Sequence, residues 1–189
     1  MTRIIDQGAI VAAGVGIGVA FTVGISFLLV IPIEPVYWYL TLPAGVLIGY
    51  YANQRSDRRQ GPWLRIAVNG LSAGFLTGLA FAALLLMVKA LFFTADNGYR
   101  DASLGGSLSC QPGADCVYQR YVADGRGSDL AGAGVTDASS FTRFYWNQQL
   151  TTAGLLLSIS SVGGLAGGLL YGIFRPRAPT PRNADEPTG

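Results

Sequence analysis

The sequence predicts an all-α integral membrane protein: four transmembrane helices in a glycine-rich bundle, with a small disulfide-bearing extracytoplasmic loop region. Three observations carry this. Half of the 189 residues are hydrophobic and only 13% are charged, against roughly a quarter in a soluble domain. Four long apolar runs alternate with polar segments. Each run carries small residues four apart, and such residues stack on one helix face. In a bilayer that face lets a second helix approach backbone to backbone. The stripe is clearest in Gly70-Leu-Ser-Ala-Gly74-Phe-Leu-Thr-Gly78-Leu-Ala-Phe-Ala82.

The first span is expected over about residues 8–31, an uncharged stretch able to cross a hydrocarbon core about 30 Å thick. It is too long for the apolar region of a cleaved leader, about 7–15 residues, and it ends in Phe27-Leu-Leu-Val-Ile31 rather than a small-x-small site. Gly14 and Gly18 are its expected packing positions. Pro32 and Pro35 enclose a short turn, because proline cannot continue a helix and restrains the residue before it.

A second span is expected over about residues 36–53, opening with the interface aromatics Tyr37, Trp38 and Tyr39 and packing through Gly45 and Gly49. Pro43 inside it predicts a kink, which membrane helices tolerate. Residues 54–65 then hold Arg55, Arg58, Arg59 and Arg65 against one acid, Asp57. A short arginine-rich loop marks the cytoplasmic side. Such arginines also suit contact with anionic lipid.

The third span, about 66–93, is the longest, and as a helix it would measure roughly 42 Å. It packs through Gly70, Gly74 and Gly78. Lys89, the single lysine, is placed near the outer end, where its stem can carry the ammonium to the headgroups.

Residues 94–148 form an extracytoplasmic loop, too long for a plain connection. Cys110-Gln-Pro-Gly-Ala-Asp-Cys116 sets a Pro-Gly turn between two cysteines, and on an oxidising face they are expected to form a disulfide. Val117–Val122 alternates apolar and polar residues, the pattern of a strand. Residues 128–138 are small and glycine-rich, which predicts a flexible segment. Phe144, Tyr145 and Trp146, with Phe141, stand just before the last span as an aromatic belt at the outer interface.

The fourth span, about 149–174, carries Gly164, Gly168 and Gly172 at four-residue spacing. Arg175 and Arg177 follow at once and return the chain to the cytoplasm. Residues 175–189 are rich in proline and small polar groups, a composition that predicts a disordered cytoplasmic tail. Both termini are therefore expected inside. Arginine dominates over lysine, and Gly and Ala abound, a bias typical of GC-rich bacterial genes. The expected location is a bacterial inner membrane.

Charge and chemistry narrow the function. The net charge is only +2, so nothing points to nucleic acid. The chain has no histidine, which removes the commonest acid-base group and metal ligand together. The expected spans hold no acidic residue for a proton or cation relay. Gly14-x-Gly16-x-Gly18 has neither the spacing nor the strand-turn-helix setting of a dinucleotide site. No catalytic, cofactor or metal residues are predicted. The sequence points to an accessory or scaffold subunit of a larger bacterial membrane complex. Its expected partners are the lipid bilayer and other membrane subunits or copies of itself. A small carrier or channel for a lipid or apolar solute is the alternative reading, and a sensor using the outer loop a third.

Overall fold

The computed structural model describes residues 5–29, 34–56, 62–95 and 110–174. Four long helices make one bundle: α1 (Gln7–Leu29), α2 (Glu34–Arg55), α3 (Trp63–Ala95) and α6 (Ala138–Phe174). Between α3 and α6 come two short helices, α4 (Ala114–Tyr121) and α5 (Gly127–Gly132), joined by a wide helical turn over Val122–Arg126. All regular structure among the described residues is helical.

Three helices, α1, α3 and α6, are long and apolar enough to cross a membrane. The second expected span, α2, takes its place in the bundle but is less apolar. Glu34, Thr41, Pro43 and the terminal Asn53-Gln54-Arg55 dilute it.

Two helices run past their expected ends. α3 continues to Ala95, and α6 begins at Ala138 rather than near residue 149. At 33 and 37 residues they measure about 50 and 55 Å, against about 30 Å of hydrocarbon. Their adjoining ends meet where Phe93 packs on Tyr145, with ring centroids 4.9 Å apart, and there they carry a small external cap.

The α6 extension starts on a capping box. Asp137 Oδ1 accepts the Ser140 N–H at 2.7 Å, and Ser140 Oγ accepts the Asp137 N–H at 3.1 Å. Two groups that the first helical turn would leave unpaired are thereby satisfied.

The cap corrects two expectations. Val117–Val122 is not a strand: residues 117–121 belong to α4, which buries Cys116 and Val117. An alternating run of six residues needs a neighbouring strand to bond with, and no strand occurs among the described residues. Residues 128–138 are not irregular throughout. α5 occupies their start and ends in a Schellman motif, with Gly134 at φ 73°, Val135 N–H bonded to Leu130 O and Gly134 N–H bonded to Ala131 O. The left-handed conformation at Gly134 is one that glycine adopts without steric penalty.

Within the bundle α3 is the hub. Other elements reach it with side-chain hydrogen bonds along its length. Just before α1, Asp6 and Asn69 clasp each other, Asn69 Nδ2 donating to Asp6 Oδ2 at 2.8 Å and Asp6 N–H donating to Asn69 Oδ1 at 3.2 Å. From α2, Asn53 Nδ2 donates to Ile66 O at 3.0 Å. From α6, Ser160 Oγ donates to Gly74 O at 2.8 Å, and the Tyr145 hydroxyl donates to Lys89 O at 3.1 Å. Polar side chains inside a membrane bundle find partners across helices for want of water.

Candidate functional site

The closest packing lies where α6 sits between α2 and α3. A methyl group added at Gly49 would lie 2.7 Å from Gly164 Cα, and one at Gly74 would lie 2.8 Å from the same atom. At Gly70 it would meet Gly168 Cα at 3.0 Å, at Gly45 Ser160 Cα at 3.1 Å, and at Gly78 Ser160 Cβ at 2.9 Å. The reverse also holds: at Gly164 it would meet Gly74 Cα at 2.7 Å, and at Gly168 Asn53 Nδ2 at 3.1 Å. Gly172 makes room for the Trp63 ring. At Gly45, Gly49, Gly70, Gly74 and Gly164 backbone meets backbone, so a side chain larger than hydrogen does not fit there without a shift of the helices.

Toward the cap, larger side chains take over. Ala82 and Leu85 of α3 meet Ala153 and Leu156 of α6 and fill the interior. The bundle is thus closest near the α2–α3 connection and is filled by side chains toward the cap.

On α1 the expected packing positions need correction. Nothing lies within 4 Å of a methyl group placed at Gly14 or Gly18, and both residues face outward. The inward stripe is Gly8, Ala12, Gly16, Ala20 and Gly24. Gly16 lies against the Thr77 side chain, and Gly8 against Ser56. The sequence holds the signal, since five small residues in series outnumber the pair at 14 and 18. Gly163 and Gly167 are two further contact positions outside the expected set, lying against Leu42 and Val46 of α2.

The cap is organised on Phe141, which is fully buried. Tyr121 and Tyr118 approach it with ring centroids at 5.1 and 5.6 Å, and Val117, Leu130 and Val135 close the cluster. Tyr145 turns inward onto Phe93 instead of outward as a belt residue, while Phe144 and Trp146 pack on the flank. A spacing of four places Phe141 and Tyr145 on one face of α6, which is why both enter the core. Arg126 stacks over the Tyr121 ring at 4.5 Å, a cation–π contact on the rim. Cys110 and Cys116 stand within disulfide distance, Cα atoms 5.4 Å apart, and Cys116 is buried at the start of α4.

Asn53 is the one buried side chain among the described residues with an orphaned polar atom. Its Nδ2 donates to Gly49 O and Ile66 O, but its Oδ1 accepts no hydrogen bond from a described residue. The amide works as a staple between α2 and α3. Of the expected topology residues, Arg55 is exposed at the end of α2 and Arg65 lies half-buried in the first turn of α3. Arg58, Arg59, Arg175 and Arg177 lie outside the described residues. Tyr39 is 79% exposed, whereas the side chains of Tyr37 and Trp38 are outside the described set.

No group of three or more His, Cys, Asp or Glu side chains gathers among the described residues. No family model, curated protein or solved structure matches this chain significantly. The functional reading therefore rests on the closed seam, the cap and the outward surfaces.

Proposed function

We propose that this chain is a four-span bacterial inner-membrane protein that acts by binding, as an accessory or scaffold subunit of a larger membrane complex. In this reading α2 is the fourth span. Both termini lie in the cytoplasm, the cap lies outside, and a Cys110–Cys116 disulfide closes the cap's entry. The arginines at 55–65 and 175–177 support that orientation. The carrying observation is the union of a closed seam with a packed cap on one continuous helix. α6 runs unbroken from Ala138 to Phe174, joining the Phe141 cluster to the Gly164–Gly74 contact. A channel would need a path through the middle of the bundle, and the backbone contact of α6 with α2 and α3 leaves little room for one there.

The test is purification of the full chain from native membranes in a mild detergent, with mass measurement of the intact assembly. The reading expects a defined assembly of fixed stoichiometry, with one membrane partner or further copies of this chain. Charge-reversing the exposed cap rim at Arg126 should weaken it. A monomer recovered alone, from gentle extraction and without any such assembly, would overturn the reading.

A further inference from the structure

Along the flank where α1 lies beside α2, the surface holds an elongated groove of about 650 Å³. Val15, Val19 and Val23 form one wall, four residues apart on a single stripe of α1. The other wall is α2 from Leu40 to Gln54, and Ile48 and Phe81 make the floor. Both walls are open to the surroundings among the described residues: Val15 is 46% exposed and Leu47 69% exposed.

Three properties identify the occupant. The first is length. The fourteen steps from Leu40 to Gln54 cover about 21 Å, more than one leaflet of a core about 30 Å thick. The second is width. Spreading 650 Å³ over that length gives a cross-section near ~31 Å², less than half the ~80 Å² of a helix about 10 Å across. A single hydrocarbon chain can lie inside the groove along its length, whereas a partner helix would cover the mouth and insert side chains alone. The third is polarity. The lining is apolar along its length except at one end, where Tyr50, Tyr51 and Gln54 gather. The next residue is the exposed Arg55, so that end is cationic as well as polar.

We propose that this groove holds one acyl chain of a phospholipid whose anionic headgroup sits at the Gln54–Arg55 end. The lipid is a resident of the bundle's flank, drawn from the surrounding leaflet. The inference rests on the chain spanning a membrane, and it is independent of the docking role proposed above.

The test uses the full chain, delipidated in detergent and offered phosphatidylglycerol or phosphatidylcholine, with bound lipid counted by native mass spectrometry. One cation near a headgroup predicts about fivefold preference for phosphatidylglycerol at one lipid per chain. Ala44→Trp should fill the groove and weaken both lipids by about tenfold, in keeping with lost apolar contact. Gly14→Trp, equally bulky but off the groove, should leave binding unchanged. Arg55→Gln should abolish the headgroup preference while the chain still binds. Should Ala44→Trp fail to fold, Leu47→Trp at an already exposed position carries the same expectation. The proposal is overturned if no lipid binds at one per chain, or if Ala44→Trp and Leu47→Trp bind as Gly14→Trp does. Equal affinity for the two headgroups in the native chain overturns it too, as does a dimer without lipid. Recovery of the native chain outside the membrane fraction would overturn both this inference and the membrane reading beneath it.

Discussion

Ser160 of α6 donates its hydroxyl proton to the carbonyl oxygen of Gly74 of α3 at 2.8 Å, in a buried contact between two helices. The bond is possible because Gly74 has no side chain: a methyl group there would lie 2.8 Å from Gly164 Cα. Packing and hydrogen bonding coincide at this one crossing. Ser160→Ala should therefore cost only about 0.6 kcal/mol, the average for such bonds in a membrane bundle. Unfolding in mixed micelles would measure it, and a loss of several times that size would show that the hydroxyl does more than bridge.

Gly74→Leu should cost far more, about 1–3 kcal/mol or beyond, because the opposing atoms are backbone and cannot swing aside. Gly14→Leu, facing open space on α1, should stay within about 0.5 kcal/mol of the native protein. The pair compared in one detergent gives the contrast directly. Equal tolerance would place Gly74 on an outward face.

Phe141→Ala should empty the centre of the cap. Loss of a buried aromatic side chain costs about 3–5 kcal/mol, and Tyr118, Tyr121 and Tyr145 all lose a ring contact. Because the seam glycines share no contact with Phe141 in the core clusters, the expected result is local. Amide exchange should accelerate over α4 and α5 and stay slow around Gly74 and Gly164.

Acid should loosen the start of α6. The Ser140 N–H, then the Ser140 and Ser139 hydroxyls, hold the Asp137 carboxyl from its usual 3.8 down to about 2. A depressed carboxyl contributes stability that is complete above its unfolded value and is lost as pH falls through its folded one. Protection of the first turn of α6 should thus be constant at neutral pH and fall between about pH 4 and pH 2. Amide exchange at Ser140 and Phe141 reads this out. Asp137→Ala should flatten the dependence.

Cys110 and Cys116 should be found joined in protein taken from its native membrane without reductant. Alkylation with mass analysis would then modify neither thiol until a reductant is added. Closing so small a loop contributes roughly 2–3 kcal/mol in the chain-entropy picture. Reduction is expected to loosen the entry to α4, where Cys116 is buried, and to leave the bundle intact.

The helical build of the bundle was legible because hydrophobic length and four-residue spacing are local properties. Any helix through Gly70, Gly74 and Gly78 lines these residues up, whatever it packs against. The same locality explains the errors. On α1 both Gly14/Gly18 and Gly8/Ala12/Gly16/Ala20/Gly24 satisfy the rule for a smooth face, and only Ser56 and Thr77 across the interface select the second. In the cap, Val117–Val122 has a period that suits a strand, but a strand requires a bonding neighbour. Phe141 and Leu130 instead offer an apolar surface to one side of a helix. Phe141 and Tyr145 carry the composition of an interface belt, and the meeting of α6 with the end of α3 makes them a core.

By itself, then, the sequence determined an apolar, helical, closely packable chain, since these follow from residue type and spacing. Only the tertiary structure decided which stripe turns inward, that the cap is helical, and that a groove stays open between α1 and α2. Each of those depends on what stands opposite a residue, and that is a property of pairs of elements rather than of any one segment.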